Sequence, residues 1–171
     1  MTPEIRILDQ GERVLFRAVE PGDKDLLRAG FDALTREARY QRFSMPKAKL
    51  TPEELAFYTE MDGVRHFAVA AGRIDENDQP IEGIGIARYV SLPDAENTAE
   101  IAIVVLDAYQ NRGIGTSLLE LVLLEATRNG IEHMVAHVQR SNRTAMLLIE
   151  KCVERFDVHL EGSYRAFTWD L

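Results

Sequence analysis

An α/β fold, in which a mixed sheet carries helices on both faces, is predicted by three features of this 171-residue chain. Its first half holds paired short apolar segments separated by turn residues, which read as hairpins. Ile101 to Leu106 is an unbroken apolar run rich in β-branched side chains, the pattern of a strand buried on both faces. A glycine turn, a helical apolar stripe and another strand follow that run, so a strand–helix–strand unit is joined to the hairpins.

Taken in order, residues 1–12 read as an N-terminal tail and residues 13–171 as a single domain. Arg13 to Val19 alternates well enough for a first strand, which Glu20-Pro21-Gly22-Asp23 ends. Asp23 suits a helix N-cap, because a carboxylate there accepts from first-turn N–H groups. Leu26, Leu27, Phe31 and Leu34 then form an apolar helical face. Arg36 to Phe43, with three arginines and two aromatics, reads either as the solvated end of that helix or as part of an acceptor site. Thr51-Pro52-Glu53-Glu54 starts a second helix, with a capping threonine, proline in the first turn and acids near the positive end. His66 to Ala71 and Gly83 to Val90 form a hairpin across the polar stretch Asp75 to Pro80.

The helix after the glycine turn carries Leu118, Leu119, Val122, Leu123 and Ala126 at helical spacing and stops at Asn129-Gly130. His133 to Gln139 is a strand. Ser141-Asn142 caps a short helix bearing Ala145, Leu148, Ile149 and Cys152. Phe156 to Leu160 and Tyr164 to Leu171 close the chain as an antiparallel hairpin.

Composition excludes several classes. A chain that is 46% apolar and 28% charged is ordinary for a soluble domain large enough to need no staple. No apolar run approaches the roughly 20 residues of a membrane span, and Met1 to Arg6 does not look like a signal peptide, so no membrane partner and a cytoplasmic location are expected. The single cysteine, Cys152, fits a reducing compartment and reads as a packing residue. A net charge of −8 argues against a nucleic-acid partner. It also means that a polyanionic ligand must rely on local donors. His133 and His137 are four residues apart; in a strand they stand roughly 13 Å from each other and cannot share a metal, so no metal site is expected.

Gln110-Asn111-Arg112-Gly113-Ile114-Gly115-Thr116 carries the clearest chemistry. A helix start presents unpaired N–H groups and the positive end of the helix dipole, which suits a phosphate. Small residues at Gly113 and Gly115 let a diphosphate approach the backbone closely. The P-loop is excluded because no lysine follows Gly115, and the dinucleotide fingerprint because Leu118 stands where its third glycine belongs.

Placed between its strand and its helix, the pattern Gln110, Gly113, Gly115 resembles the diphosphate loop of the GNAT N-acetyltransferase superfamily, Gln/Arg-x-x-Gly-x-Gly/Ala. The element order resembles the GNAT fold from Arg13 to Leu171. The resemblance implies acetyl-CoA as co-substrate and an amine as acceptor. It assigns the main chain around Ile103 and Val105 to the pantetheine arm and the backbone of Gln110, Asn111, Arg112, Gly113, Ile114, Gly115 and Thr116 to the diphosphate. Asn142, in Asn142-Arg143-Thr144-Ala145, resembles a second coenzyme A contact; a plain helix cap is the other reading.

Acetyl transfer to an amine needs a base, because a free lysine amine with a pKa of about 10.4 is almost wholly protonated at neutral pH. Glu100 is the candidate. It opens the most apolar strand, where desolvation would raise its pKa, on the face of Ala102 and Val104. The other reading is a strand-edge carboxylate in water or beside an arginine such as Arg88. Ala99-Glu100-Ile101-Ala102 resembles the run that carries the catalytic glutamate of bacterial GNAT protein-lysine acetyltransferases. Leu15-Phe16-Arg17 and Arg39 to Phe43 point to the same branch, whose acceptor is a protein lysine; a small amine or polyamine is the alternative. The chain departs from the family at Ile149, where many members carry a tyrosine as general acid, and that loss slightly favours a non-catalytic acyl-CoA sensor. A homodimer is compatible with the resemblance.

Overall fold

The computed structural model describes residues 1–8, 11–43 and 45–171. Its strands are β1 (Glu4–Ile7), β2 (Arg13–Ala18), β3 (His66–Ile74), β4 (Pro80–Ser91), β5 (Thr98–Val105), β6 (His133–Gln139), β7 (Asp157–Glu161) and β8 (Tyr164–Asp170). Its helices are α1 (Lys24–Ala33), α2 (Arg36–Phe43), α3 (Pro52–Thr59), α4 (Ile114–Arg128) and α5 (Arg143–Cys152). The strands form one sheet in the order β1-β2-β3-β4-β5-β6-β8-β7. Among the described residues only the β5–β6 pair is parallel. The mixed sheet expected from the sequence is therefore present, its parallel step at the strand–helix–strand unit.

Strand alternation sorts the side chains of β5 between two cores. Ile101, Ile103 and Val105 pack with Leu118, Leu119 and Val122 of α4. Val104 and Leu106 pack with Phe31, Leu34, Leu50 and Leu55 of the α1–α3 layer. Helices thus cover both faces. The β5 strand is less enclosed than its composition suggests: Ile101 is buried, whereas Ala102 to Val105 are only half-buried.

Three local expectations are corrected. Residues 1–12 are not a loose tail throughout, because Glu4–Ile7 pairs antiparallel with β2, Ile5 opposite Leu15. Helix α1 also does not run into Arg36–Phe43. Leu34 turns extended at ψ 139°, and Thr35 restarts the helix by accepting from the Ala38 N–H at 3.2 Å. That N-cap threonine was available to sequence reading. Finally, Asp23 does not cap α1; its carboxylate takes two hydrogen bonds from Arg17, at 2.7 and 2.6 Å, and one from the Glu20 N–H.

Other punctuation holds. Thr51 and Glu54 form a reciprocal capping box at α3, at 3.2 and 2.9 Å. Gly130, at φ +79°, ends α4 in the left-handed region that favours glycine. Asn129 then donates from Nδ2 to the Tyr89 hydroxyl at 2.7 Å, and that buried hydroxyl donates to Val64 O at 2.8 Å. This ties the end of α4 to β4.

Candidate active site

The site begins where two strands part. Parallel pairing of β5 with β6 runs only from Thr98/His133 to Glu100/Val135, although β5 continues to Val105 and β6 to Gln139. The Leu106 N–H donates to Ile84 O of β4. In an antiparallel strand backbone direction alternates. The backbone groups of Val104 and Ala102 therefore also face β4, and those of Ile101, Ile103 and Val105 face the opening toward β6. The resemblance had named the main chain of Ile103 and Val105; the geometry turns it into a cleft, free to bond an extended ligand arm.

The glycine turn closes the far end of that cleft. Gln110 donates from Nε2 to Val105 O and to Asp107 Oδ1, both at 3.1 Å, which fixes the loop to the strand. Asn111 at φ +59° and Gly113 at φ +83° are both left-handed, and they turn the chain into α4. No side chain among the described residues caps the N-terminus of α4. Among the described residues the N–H groups of Ile114, Gly115 and Thr116 have no acceptor, so they are the donor nest that a diphosphate needs. The two glycines do different work. A Cβ on Gly113 would meet nothing within 4 Å, so Gly113 supplies the turn. A Cβ on Gly115 would stand 3.3 Å from Leu148 Cδ2, so Gly115 lets α5 pack close.

Side chains adjust the charge around this nest. Arg112 is paired with Glu12 and lies over the Tyr109 ring, 5.4 Å from its centroid. Lys151, which the sequence reading passed over, brings its ammonium to 3.4 Å from Thr116 Oγ1. Asn142 accepts from the Ala145 N–H at 3.0 Å, so its amide oxygen serves the helix cap. Ile149 is buried in the core, and no proton donor stands at that position. Cys152 is half-buried and burial pushes its thiol pKa up, which suits packing and not nucleophilic attack.

Glu100 lies at the fork, on the face of Ala102 and Val104. Its side chain is 46% exposed, so the desolvation expected from its apolar strand is largely missing. Its neighbour is His137, whose Nδ1 is 3.2 Å from Glu100 Oε1 and whose Nε2 is 3.4 Å from Glu161 Oε2. Sequence spacing gave no hint of this chain of groups, because it forms across β5, β6 and β7. His133 points elsewhere, to Asp170 at 2.7 Å, and the two histidines share nothing.

On the same face, a cavity of about 140 Å³ lies between the α1–α3 layer and the sheet. Leu27, Phe31, Leu50, Val104 and Leu106 are among its walls. Arg42 and Arg88 border it beside Tyr58. Arg42 belongs to the stretch that fits either a solvated helix end or part of an acceptor site; it is half-buried, and burial lowers its pKa. It stands four residues after buried Ala38, on the same side of α2, which was the signal for it. Burial, then the Arg42 charge, lower Arg88 to about 10.

A parallel pair opened into a cleft, an uncapped helix start across its end and a carboxylate at its fork are parts that transfer of an acyl group from a diphosphate-containing coenzyme would use. The sequence profile of the acetyltransferase (GNAT) family matches residues 31–153, and the chain belongs to that family, with acetyl-CoA as its co-substrate. It is 27% identical over 139 residues to the acetyltransferase PA5475 of Pseudomonas aeruginosa, covering 81% of this chain and 73% of that one. Its fold matches the GNAT domain of S. lividans PAT with a TM-score of 0.85 at 23% identity, over 99% of this chain and 97% of that one. It also matches yncA of Salmonella typhimurium, solved with its cofactor acetyl-CoA, at TM-score 0.68 and 18% identity over 92% of each chain. None of the helices described is long and apolar enough to cross a membrane.

Proposed function

We propose that the chain moves acetyl from acetyl-CoA to a primary amine by direct attack, with Glu100 as general base. The observation that carries this reading is the position of Glu100 at the fork of β5 and β6, on the same strand face as Ala102 and Val104, which line the cavity. A proton leaves the ammonium, the amine nitrogen bonds to the acetyl carbonyl carbon, the carbon–sulfur bond breaks, and the second proton lost by that nitrogen passes to the departing thiolate, which leaves as the thiol. Glu100 takes the first proton, and His137 followed by Glu161 gives it a path to the surface. The cleft-facing N–H groups of Ile103 and Val105 hold the arm of the co-substrate, and the start of α4 with Lys151 holds the diphosphate. Asn142 is retained as a coenzyme A contact through the part of its amide not used in the cap.

The acceptor class that the sequence resemblance supports is a protein lysine, in a cytoplasmic setting that the unpaired Cys152 suits. A small amine is the second reading, and the small volume of the cavity favours it. Thiol release from acetyl-CoA, measured against lysine peptides, folded proteins, polyamines and small amines, tests the proposal. Turnover with one class selects it. Acetyl-CoA binding without turnover on any of them refutes the general-base reading.

A further inference from the structure

The cavity on the Glu100 face carries two guanidinium groups that acetyl transfer does not require. Six charged side chains border it: Arg17, Asp23, Arg42, Arg73, Glu82 and Arg88. Arg17 is paired with Asp23 at 2.6 Å and Arg73 with Glu82 at 2.9 Å, so those four neutralise one another. Among the described residues, neither Arg42 nor Arg88 has a carboxylate within ion-pair distance. Nε and Nη1 of Arg88 are shielded from solvent and donate to nothing. The flat face of that guanidinium is covered by the Tyr58 ring at 4.3 Å and the Phe57 ring at 5.3 Å.

Two enclosed cations side by side, one with unmet donors, are unfavourable unless an anion joins them. A carboxylate matches the fork of a guanidinium with two parallel hydrogen bonds. The register places this pair beside the proposed base. Arg88 lies opposite Ala102 and Val90 opposite Glu100, so Arg88 and Glu100 are diagonal neighbours on one face. An acceptor whose carboxylate sits on the arginines would therefore have a nearby amine within reach of Glu100. The remaining wall is aliphatic and aromatic, and the volume is small.

We infer that Arg42 and Arg88 form a carboxylate-binding subsite, and that the cavity takes a free amino acid with an apolar side chain, its amine presented to Glu100. This rests on the acetyl transfer proposed above and selects its small-acceptor form. The test is thiol release from acetyl-CoA with three probes: L-leucine, leucinamide, which lacks the carboxylate charge, and isoamylamine, which lacks the carboxylate. Leucine is expected to exceed both in kcat/KM by about 100-fold, since a site built for a polar group rejects analogues without it. Arg88→Gln, and separately Arg42→Gln, are expected to abolish that preference while leaving acetyl-CoA affinity near wild type. Arg42→Lys, which keeps the charge without the fork, should retain part of the preference and serves if a glutamine variant fails to fold. Equal use of leucine and leucinamide by the wild-type protein, or a lysine peptide preferred over leucine and unaffected by Arg88→Gln, overturns the inference. Calorimetry with L-leucine separates the two layers. Binding of leucine that is lost in Arg88→Gln, without turnover of any amine, upholds the subsite and refutes the catalytic reading; no binding of leucine refutes the subsite.

Discussion

Replacing Glu100 by glutamine removes one negative charge from the fork and little else. The side chain is 46% exposed and its contact is His137 at 3.2 Å, so the isosteric amide should leave the fold unchanged. The diphosphate nest lies at the other end of β5, so acetyl-CoA affinity should also be unchanged. The kinetic cost follows from the acceptor. For a lysine side chain as acceptor, with a pKa of about 10.4, only about one amine in 10³ is free at pH 7.4. A variant without its base can use only that fraction, so kcat/KM is expected to fall by about 10³, inside the range general bases supply. It should then recover about tenfold for each pH unit until the amine itself is deprotonated. Thiol release followed from pH 6.5 to 10, with acetyl-CoA affinity measured in parallel, checks this. A variant within about threefold of wild type at neutral pH would refute the assignment, as would a deep loss that alkaline pH does not repair.

Three further outcomes are expected. Gly113→Ala places a side chain at φ +83° with no clash, so it should cost about 1 kcal/mol of stability in urea unfolding through backbone strain alone. Glu12→Gln frees Arg112 beside the diphosphate nest, and acetyl-CoA affinity at low salt should rise by about two- to fivefold, with the gain fading as salt is added. His66 has its pKa lowered to about 4, by burial first and then by the Arg88 charge. Its contribution to stability is complete above the unfolded value near 6.5 and lost as pH falls from there toward 4, by at most about 3 kcal/mol less what partial exposure screens. Urea midpoints taken between pH 7 and pH 4.5 should show that slope in the wild type and a flatter one in His66→Gln.

What the sequence determined by itself were features set by short-range physics. The β-branched run at Ile101, the capping box at Thr51 and Glu54, the stop at Asn129-Gly130 and the strand-to-helix turn at Gln110 to Thr116 each depend on neighbours a few residues away. Each forms the element read for it, although β5 is less enclosed than its composition suggests. Where local rules competed, reading failed. Asp23 met the requirements of an N-cap, yet Arg17, six residues earlier in β2, took its carboxylate. Thr35 offered a cap that splits α1 from α2, and the apolar spacing through Leu34 hid it.

The site divides along the same line. The row of free N–H groups at the start of α4 was legible because a helix start and its glycines are contiguous in the chain. Everything that gives the site direction was decided by tertiary structure: the parting of β5 from β6, the contact of Glu100 with His137, and the reach of Lys151 to Thr116. The meeting of Arg42 with Arg88 belongs to that set. One arginine comes from α2 and the other from β4, and only the packing of the helical layer on the sheet removes both from water and sets them on one cavity. A sequence records which charges exist; which of them lose their solvent, and beside whom, depends on the folded surface.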